Sequence, residues 1–250
     1  VLLHLAQTAG RESVHPLLAV RPELRRRLVV LITSDRGLAG AYNTNVIRFA
    51  LEQSRQVEAP TSYVTVGRKG RDILLRRRED VRAEFSALPA EPTYADASAI
   101  GRLVIDEFLE GRADQVLLVY TSFVNLLRQV PTMKTLLPLE IEAAGQRVQE
   151  MEQHQARPTA SYIYEPGQTE LMDLIIARFT QLQLYQALLE SQASEHAARM
   201  VAMQNATENA LDLSGALKLQ YNKARQLAIT SDMLDIASGA EALAQARGGR

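Results

Sequence analysis

The chain has 250 residues, of which 46% are hydrophobic and 23% are charged, and its formal net charge is −1. This hydrophobic content excludes wholesale disorder, and the balanced charge gives no electrostatic reason to expect nucleic acid or an anionic membrane as the main partner. Because cysteine is absent, disulfides, thiolate nucleophiles and Cys-ligated metal sites are excluded. The histidines His4, His15, His154 and His196 lack metal-ligand spacing. We therefore predict no metal site; the predictions of no catalytic residue and no cofactor come from the family resemblance given below.

Residues 1–27 are interpreted as the end of an N-terminal helix followed by a linker. The opening residues VLLHLAQTA are helical and apolar in composition, and Gly10 ends this pattern. Pro16 and Pro22 then mark the linker. The abrupt apolar opening predicts that this segment is the remainder of a longer helix.

Residues 28–166 predict an α/β body. Apolar runs of strand length alternate with helical patterns, which favours a Rossmann-like, twisted and mostly parallel sheet. The extended segment at 123–140 contains Pro131 and Pro138, so it is expected at a sheet edge or in a projecting arm. The predicted strands are 28–33, 62–66, a weak one at 81–85, 115–121 and 160–164; the predicted helices are 41–56, 69–77 and 95–110.

Residues 167–250 predict one very long helix. From Gln168 to Arg247 there is no proline, and glycine occurs only at Gly215 and Gly239. At 1.5 Å per residue such a helix is roughly 120 Å long, far more than the rest of the chain can cover. Something outside the chain must bury most of it.

The apolar pattern of this helix changes along its length. Near the body the stripe has ordinary bulky residues, whereas farther out a 3-4 alternation selects small ones, as expected for a thin coiled coil in a polar surround. The end becomes apolar again, which predicts a socket in another protein. The stripe near the body is Leu171, Leu174, Ile175, Phe179, Leu182, Tyr185 and Leu189. The outer seam is Ala193, His196, Met200, Met203, Thr207, Ala210, Ser214, Leu217, Tyr221, Ala224 and Ala228. The apolar tip is Met233, Leu234, Ile236 and Leu243.

At this point the sequence resembles the gamma subunit of bacterial F-type ATP synthase. The resemblance is carried by SDRGLAGAYNTN at 34–45, by QVPT at 129–132 with LLPL at 136–139, by SEHAARMVAMQNATENA at 194–210 and by YNKARQLAIT at 221–230. These motifs follow the family's order over most of the chain.

The resemblance implies a non-catalytic rotor shaft, in which the long helix is half of an antiparallel coiled coil inside a ring of three alpha and three beta subunits. The body is implied to bind epsilon and the membrane c-ring, and rotation driven by proton or sodium flow changes the state of each beta subunit. The implied location is the cytoplasmic face of the bacterial cell membrane, peripheral and held there through the complex. The family's N-terminal helix is absent from the sequence, so the seam lacks its expected partner.

The resemblance also implies which residues meet the ring. Arg225, Gln226, Thr230 and Asp232 match positions that contact loops of beta and alpha. Position 232 is often Glu in the family, so the shorter Asp232 weakens that expectation.

Two alternatives remain open. A nucleotide-binding α/β enzyme with a coiled-coil oligomerisation helix is suggested by Gly37 to Gly40 between strand and helix, although no complete phosphate-binding motif is present. Asp35 and Arg36 are interpreted as a helix cap and loop ion pair rather than as catalytic groups. A membrane-surface helix is the other alternative, but the seam lacks the bulky apolar and basic residues that it needs, and no apolar run approaches the length of a membrane span.

Two basic clusters complete the sequence pattern. One is Arg25–Arg27, and the other contains Arg68, Lys69, Arg71 and Arg76–Arg78. No aromatic residue is interleaved with them, and acidic residues follow the second cluster directly. We interpret them as a solvated loop and the outer face of a helix.

Overall fold

The computed structural model describes residues 15–21, 23–57 and 59–139, and the helix from 168 to 248 with the side chains of 174–242. The predicted helix at 1–9, the predicted strand at 160–164 and the side chains of Leu171 and Leu243 lie outside the described residues. Within the described ranges, the chain divides into two compact units, of which the first ends at Val201 and the second begins at Ala202. This division lies inside the long helix, whereas the sequence places the domain boundary at 166/167.

Every strand and helix predicted within the described ranges is present, with ends shifted by at most two residues. The extended segment at 123–140 contains the end of one strand, a turn and a second strand. A short 3₁₀ turn at Pro16–Leu18 precedes the first strand. The elements are β1 Arg27–Ile32, α1 Tyr42–Arg55, β2 Thr61–Val66, α2 Arg68–Arg76, β3 Asp80–Phe85, α3 Tyr94–Leu109, β4 Gln115–Phe123, β5 Gln129–Leu137 and α4 Gln168–Gly248.

The five strands form one sheet in the order β3-β2-β1-β4-β5. The pairs β1–β2, β1–β4 and β2–β3 are parallel, whereas β5 pairs with β4 in the antiparallel direction. Pro131 lies in this edge strand, where its missing N–H interrupts no second ladder. The predicted mostly parallel α/β fold is confirmed.

Both faces of the sheet are covered, which explains why all six residues of β1 are buried. On one face, Val29 and Leu31 pack in a cluster with Val46 of α1 and Leu74 of α2. On the other face, a larger cluster joins the remaining β1 side chains to α3 and to the first part of α4.

Helix α3 begins at a well-formed cap. The Thr93 hydroxyl accepts a hydrogen bond from the Asp96 N–H, and the Asp96 carboxylate accepts one from the Thr93 N–H. These reciprocal bonds satisfy N–H groups that a helix start would otherwise leave without partners. The cap therefore stabilises the first turn of α3.

The face of α4 that packs on the body includes only part of the predicted stripe. Ile175, Phe179 and Tyr185 pack against the core cluster as partly buried residues. Leu174, Leu182 and Leu189 are exposed, so for them the prediction is wrong. Helix α3 approaches α4 closely: a Cβ added to Gly101 would lie 2.6 Å from the Cγ of Gln181. The buried residues of α4 are Ile176, Thr180, Leu184, Ala187, Leu188, Ser191, Ser194 and Ala197.

Candidate functional site

The candidate site is the part of α4 in the second unit, from Ala202 onward. Among its described side chains, residues 202–242, none is buried and nearly all are exposed. Several are large and apolar, which is unfavourable in water unless a partner covers them. The exposed large apolar side chains here are Met203, Leu211, Leu213, Leu217, Leu219, Tyr221, Leu227, Ile229, Met233, Leu234 and Ile236.

The four residues expected to meet the ring are all exposed. Arg225 and Asp232 are seven residues apart, so they lie on nearly the same side of the helix. Gln226 and Thr230 lie together on an adjacent side, rotated by roughly 100°. The Thr230 hydroxyl donates a hydrogen bond of 2.8 Å to the backbone oxygen of Gln226, which is an ordinary bond within the helix. The structure therefore groups the four residues into two neighbouring pairs.

Neither charged member of this set has an ion-pair partner among the described residues. In an exposed Arg without a nearby carboxylate, all the guanidinium N–H donors remain available to another chain. The same holds for the acceptor oxygens of Asp232. Both side chains are available for intermolecular contacts.

The apolar tip is also exposed over its described residues. The relative exposures of Met233, Leu234 and Ile236 are 66%, 62% and 73%. With about 100° per residue, these side chains point to different sides of the helix rather than along one stripe. An apolar end that is exposed on several sides suits a socket better than a single partner helix.

In the first unit, the same helix presents two distinct faces. Ser191, Ser194 and Ala197 are buried against the body, whereas the seam residues His196 and Met200 are exposed. The seam therefore begins while the helix is still packed on the body. A partner helix is able to lie on the seam without displacing the body.

A hydrogen-bonded tie fixes this helix to the carboxyl ends of the parallel strands. The Tyr42 hydroxyl and the Ser191 hydroxyl are 2.7 Å apart, and the Ser194 hydroxyl donates to the backbone oxygen of Thr121 at 3.1 Å. Burial raises the pKa of Tyr42 well above its ordinary value, and this effect exceeds the opposing one of the Ser191 hydrogen bond. The sequence analysis missed this tie: Tyr42 and Ser194 lie in two of the quoted family motifs, but nothing in the spacing of those motifs shows that α4 packs against Tyr42 and Thr121.

The loop after β1 caps helix α2. The Asp35 carboxylate accepts a hydrogen bond from the Arg68 N–H at 3.0 Å, and the Thr33 hydroxyl accepts one from the Gly70 N–H at 2.9 Å. The Lys69 N–H donates to the backbone oxygen of Ser34. Asp35 forms its ion pair with Arg68 rather than with the adjacent Arg36, which corrects the predicted loop ion pair.

A cleft of about 430 Å³ lies next to this loop, between the carboxyl ends of β1 and β2 and helix α4. Its charged lining is largely paired internally: Asp35 with Arg68, and Glu195 with Arg199. Because the chain's own oxygens accept hydrogen bonds from the first three N–H groups of α2, a phosphate at the start of this helix would have to displace them. The start of α2 is therefore not a free phosphate site.

The described ranges also bear on metal binding and membrane insertion. No group of three or more His, Cys, Asp or Glu residues is arranged to hold a metal ion. No described helix combines the length and the apolar character needed to cross a bilayer.

Comparisons with known proteins give the family. The family model described as ATP synthase matches residues 1–243. The chain is 40% identical to the ATP synthase gamma chain of Moorella thermoacetica over 231 residues, which span 92% of this chain and 78% of that relative. It is 44% identical to the ATP synthase gamma chain of Dehalococcoides mccartyi over 240 residues, covering 93% and 78% of the two chains.

A solved structure shows the same fold. In the cryo-EM structure of the central stalk and c-ring of Tetrahymena thermophila mitochondrial ATP synthase, one chain matches with a TM-score of 0.62 and 26% sequence identity. The match covers 82% of this chain and 84% of that one. Sequence and fold agree that the chain belongs to the ATP synthase gamma chain family.

Proposed function

We propose that this chain is the central rotor shaft of an F1Fo ATP synthase, coupling ion flow through the membrane sector to the conformational cycle of the catalytic beta subunits. The chain is not an enzyme by itself, since the ATP chemistry belongs to the complex. Its contribution is mechanical: it transfers torque and biases the state of each beta subunit in turn.

The observation that carries this proposal is the contrast within α4. One continuous helix of 81 residues is packed on the body up to Val201 and has no buried side chain among its described residues from Ala202 to Ala242. A helix that leaves so much apolar surface uncovered needs a surrounding partner. A ring of alpha and beta subunits supplies such a surround.

The composition of the helix surface outside the seam suits rotation. Polar side chains such as Gln204, Asn205 and Gln220 are exposed there and make weak, non-specific contacts with a surrounding sleeve. No single angle of the shaft is then strongly preferred over the others, so rotation meets low barriers. Bulky interlocking side chains would instead hold one angle.

The specific contacts belong to a few residues. We assign Arg225 and Asp232 to ion pairs with loops of beta and alpha, and Gln226 and Thr230 to hydrogen bonds with the same ring. The apolar tip, including Leu243, sits in the apolar socket at the far end of the ring. These contacts change with angle, and this dependence transmits the rotor position to the catalytic subunits.

The remaining partners bind elsewhere on the chain. The exposed seam from Ala193 outward takes an antiparallel partner helix, and the α/β body binds epsilon and the c-ring. The complex holds the chain at the cytoplasmic face of the bacterial cell membrane as a peripheral subunit of F1. Hydrogen ion transport through the membrane sector supplies the torque for ATP synthesis.

The test is reconstitution with alpha and beta subunits. The chain should co-purify with them as one complex with ATPase activity. Arg225→Gln should leave assembly intact but reduce the coupling between ATP hydrolysis and rotation, because an angle-dependent contact is lost.

Lys223→Gln is the matched control, since Lys223 is also exposed but lies on the opposite side of the helix from Arg225. Equal losses in the two variants would show that Arg225 has no special contact. Failure of the chain to assemble with alpha and beta, together with ATP binding by the isolated chain, would favour the nucleotide-binding alternative.

A further inference from the structure

The hydrogen bonds that join α4 to the body are concentrated in about one turn of this helix. Among the described residues, α4 forms such bonds at five positions, and four of them lie between Glu190 and Ser194. The fifth is the exposed bond from the Tyr94 hydroxyl to the Gln181 side chain. We call the four closely spaced positions, together with the groups that they contact on the body, the collar. The α4 residues of the collar are Glu190, Ser191, Gln192 and Ser194.

Three separate parts of the body supply the other half of the collar: the end of β4, the start of α1 and the segment between β3 and α3. The bonds run from the Ser122 hydroxyl to the Glu190 carboxylate at 2.9 Å, from the Ser194 hydroxyl to the backbone oxygen of Thr121 at 3.1 Å, between the hydroxyls of Tyr42 and Ser191 at 2.7 Å, and from the Gln192 amide to the backbone oxygen of Ala90. Neighbouring residues of one helix are therefore held by elements that are far apart in the chain.

The collar contacts α4 on several sides. With about 100° per residue, Ser194 lies about 40° from Glu190 around the helix axis, Ser191 about 100° and Gln192 about 200°. The hydrogen bonds thus extend over more than half of the helix circumference. A helix held in this way differs from one that lies with a single face on a sheet.

The side of α4 that the collar leaves open belongs to the seam. Leu189, Ala193 and His196 lie in the remaining arc, and all three are exposed. The proposed antiparallel partner helix lies on this seam, so it closes the open side without displacing the collar.

The collar is the last directional attachment of α4 to the body. From Glu195 to Val201, where the first unit ends, the described residues of α4 form no hydrogen bond to the rest of the body. Glu195 and Arg199 pair with each other within the helix. Any twist that passes between the body and the exposed part of α4 must therefore pass the collar.

The collar resists rolling of α4 better than the apolar contacts that precede it. Ile176, Leu184 and Leu188 pack in the core, but apolar contacts are non-directional and tolerate rotation of the helix about its own axis. Hydrogen bonds depend strongly on angle. The hydroxyls of Ser191 and Ser194 are buried, so water does not compete for their bonds.

We propose that the collar transmits torque between the α/β body and α4. This inference rests on the proposed function, in which the body and the shaft turn together under load. The collar residues are positioning residues: they hold the angle of the shaft relative to the body, and they take no part in the ATP chemistry.

The test is rotation of a bead against viscous drag in a complex of the full chain with cysteine-free alpha and beta subunits. Because the chain has no cysteine, Arg102→Cys provides a single attachment point for the bead on the exposed side of α3. ATP hydrolysis by the ring turns α4, and the bead follows only if torque passes the collar. The number of bead turns per ATP hydrolysed is measured as the drag is raised.

The decisive variant is Y42F/S194A, which removes two buried hydrogen bonds of the collar. Each lost bond should make rolling of α4 about fivefold more frequent. The bead should therefore follow ATP hydrolysis at low drag and fall severalfold behind it at high drag.

The matched control is Y63F/T65V. It also removes a buried tyrosine hydroxyl bonded to a serine hydroxyl and a buried hydroxyl bonded to a backbone oxygen, but neither bond involves α4. The control should turn the bead like the unmodified chain at every drag. Equal slip, or equal absence of slip, in the two double variants would overturn the inference.

A conservative pair at Glu190 tests the collar on another side. Glu190→Ala removes the acceptor for the Ser122 hydroxyl, whereas Glu190→Gln keeps a side-chain oxygen in its place. The alanine variant should slip at high drag, and the glutamine variant should follow ATP hydrolysis. Slip in both variants, or in neither, would contradict a torque-bearing hydrogen bond at this position.

The melting temperature of each complex separates transmission from stability. If Y42F/S194A lowers the melting temperature but keeps the bead turns per ATP at high drag, the collar serves only the fold and the inference is wrong. If the unmodified chain does not assemble with alpha and beta, or assembles without turning the bead, the proposed function fails instead.

Discussion

The two parts of α4 share one secondary structure but derive their stability from different sources. In the first unit the helix buries a face that includes Ile176, Leu184 and Leu188 against the body. In the second unit the described side chains bury nothing. A long helix is marginal without packing, so the second part depends on its partners for tertiary stabilisation. The comparison teaches that helical propensity gives the helix its continuity, whereas packing decides which part is stable alone.

The largest expected difference between the two parts comes from shortening a leucine in each. Leu184 is 0% exposed and Leu217 is 54% exposed. Leu184→Ala should lower the free energy of unfolding of the first unit by about 2–5 kcal/mol, since it leaves a cavity. Leu217→Ala, the matched control, should change it by less than about 0.5 kcal/mol. Urea unfolding followed by tyrosine fluorescence measures both, and equal losses would contradict the division of α4.

The next effect tests the close approach of α3 and α4. Gly101→Val should lower the free energy of unfolding by about 1–3 kcal/mol, because the added atoms overlap the Gln181 side chain and approach Leu184. Thermal unfolding of the purified variant measures the loss. An unchanged melting temperature would mean that the two helices separate at little cost.

Acid should weaken the first unit through Asp114. Burial opposes ionisation of this carboxyl, but hydrogen bonds from the Arg21 side chain and from the Arg26 and Arg25 N–H groups outweigh it, so the pKa of Asp114 lies below its ordinary value. The stabilisation is therefore present above the unfolded-state pKa of about 3.9 and is lost as the pH falls through the lower folded-state pKa.

The corresponding variant is Asp114→Asn. At neutral pH it should lower the free energy of unfolding by about 1–3 kcal/mol, because Arg21 loses its charged partner at 2.7 Å. The difference from the unmodified chain should shrink as the pH is lowered below the folded-state pKa. Unfolding curves at a series of pH values measure this, and a difference that grows with acid would contradict the assignment.

The smallest effect is a gain, and it belongs to the second unit. Nothing lies within 4 Å of a Cβ added at Gly215. Gly215→Ala should stabilise the exposed helix by about 0.5–1 kcal/mol through backbone propensity alone. Circular dichroism should show higher helicity at elevated temperature. A decrease would indicate that a close contact at Gly215 already exists.

Most of the fold follows from local sequence patterns. The run Leu28–Ile32 predicts a strand buried on both faces, and Pro131 predicts an edge position; both are confirmed. The long stretch without proline from Gln168 to Arg247 also predicts helix α4. These features depend on neighbours along the chain, so a single sequence contains the information.

Hydropathy predicts only part of the buried face of α4, for a physical reason. It selects Leu182 and Leu189, which are exposed, whereas Ser191 and Ser194 are buried and hydrogen-bond to Tyr42 and to the backbone oxygen of Thr121. Close approach to β4 and the loop after β1 favours small residues with hydrogen-bonding groups, and this requirement is set by distant parts of the chain. The ring contacts at Arg225 and Asp232 stay predictions, because their partners belong to other subunits.

The buried phenol of Tyr42 supplies an intrinsic optical reporter. The chain has eight tyrosines and no tryptophan. Because burial raises the pKa of Tyr42, we expect its phenolate absorbance to develop in alkali only when α4 separates from the start of α1 at the Tyr42–Ser191 contact. The difference between the alkaline titrations of the unmodified chain and of Tyr42→Phe therefore measures the separation of α4 from α1, without any attached dye.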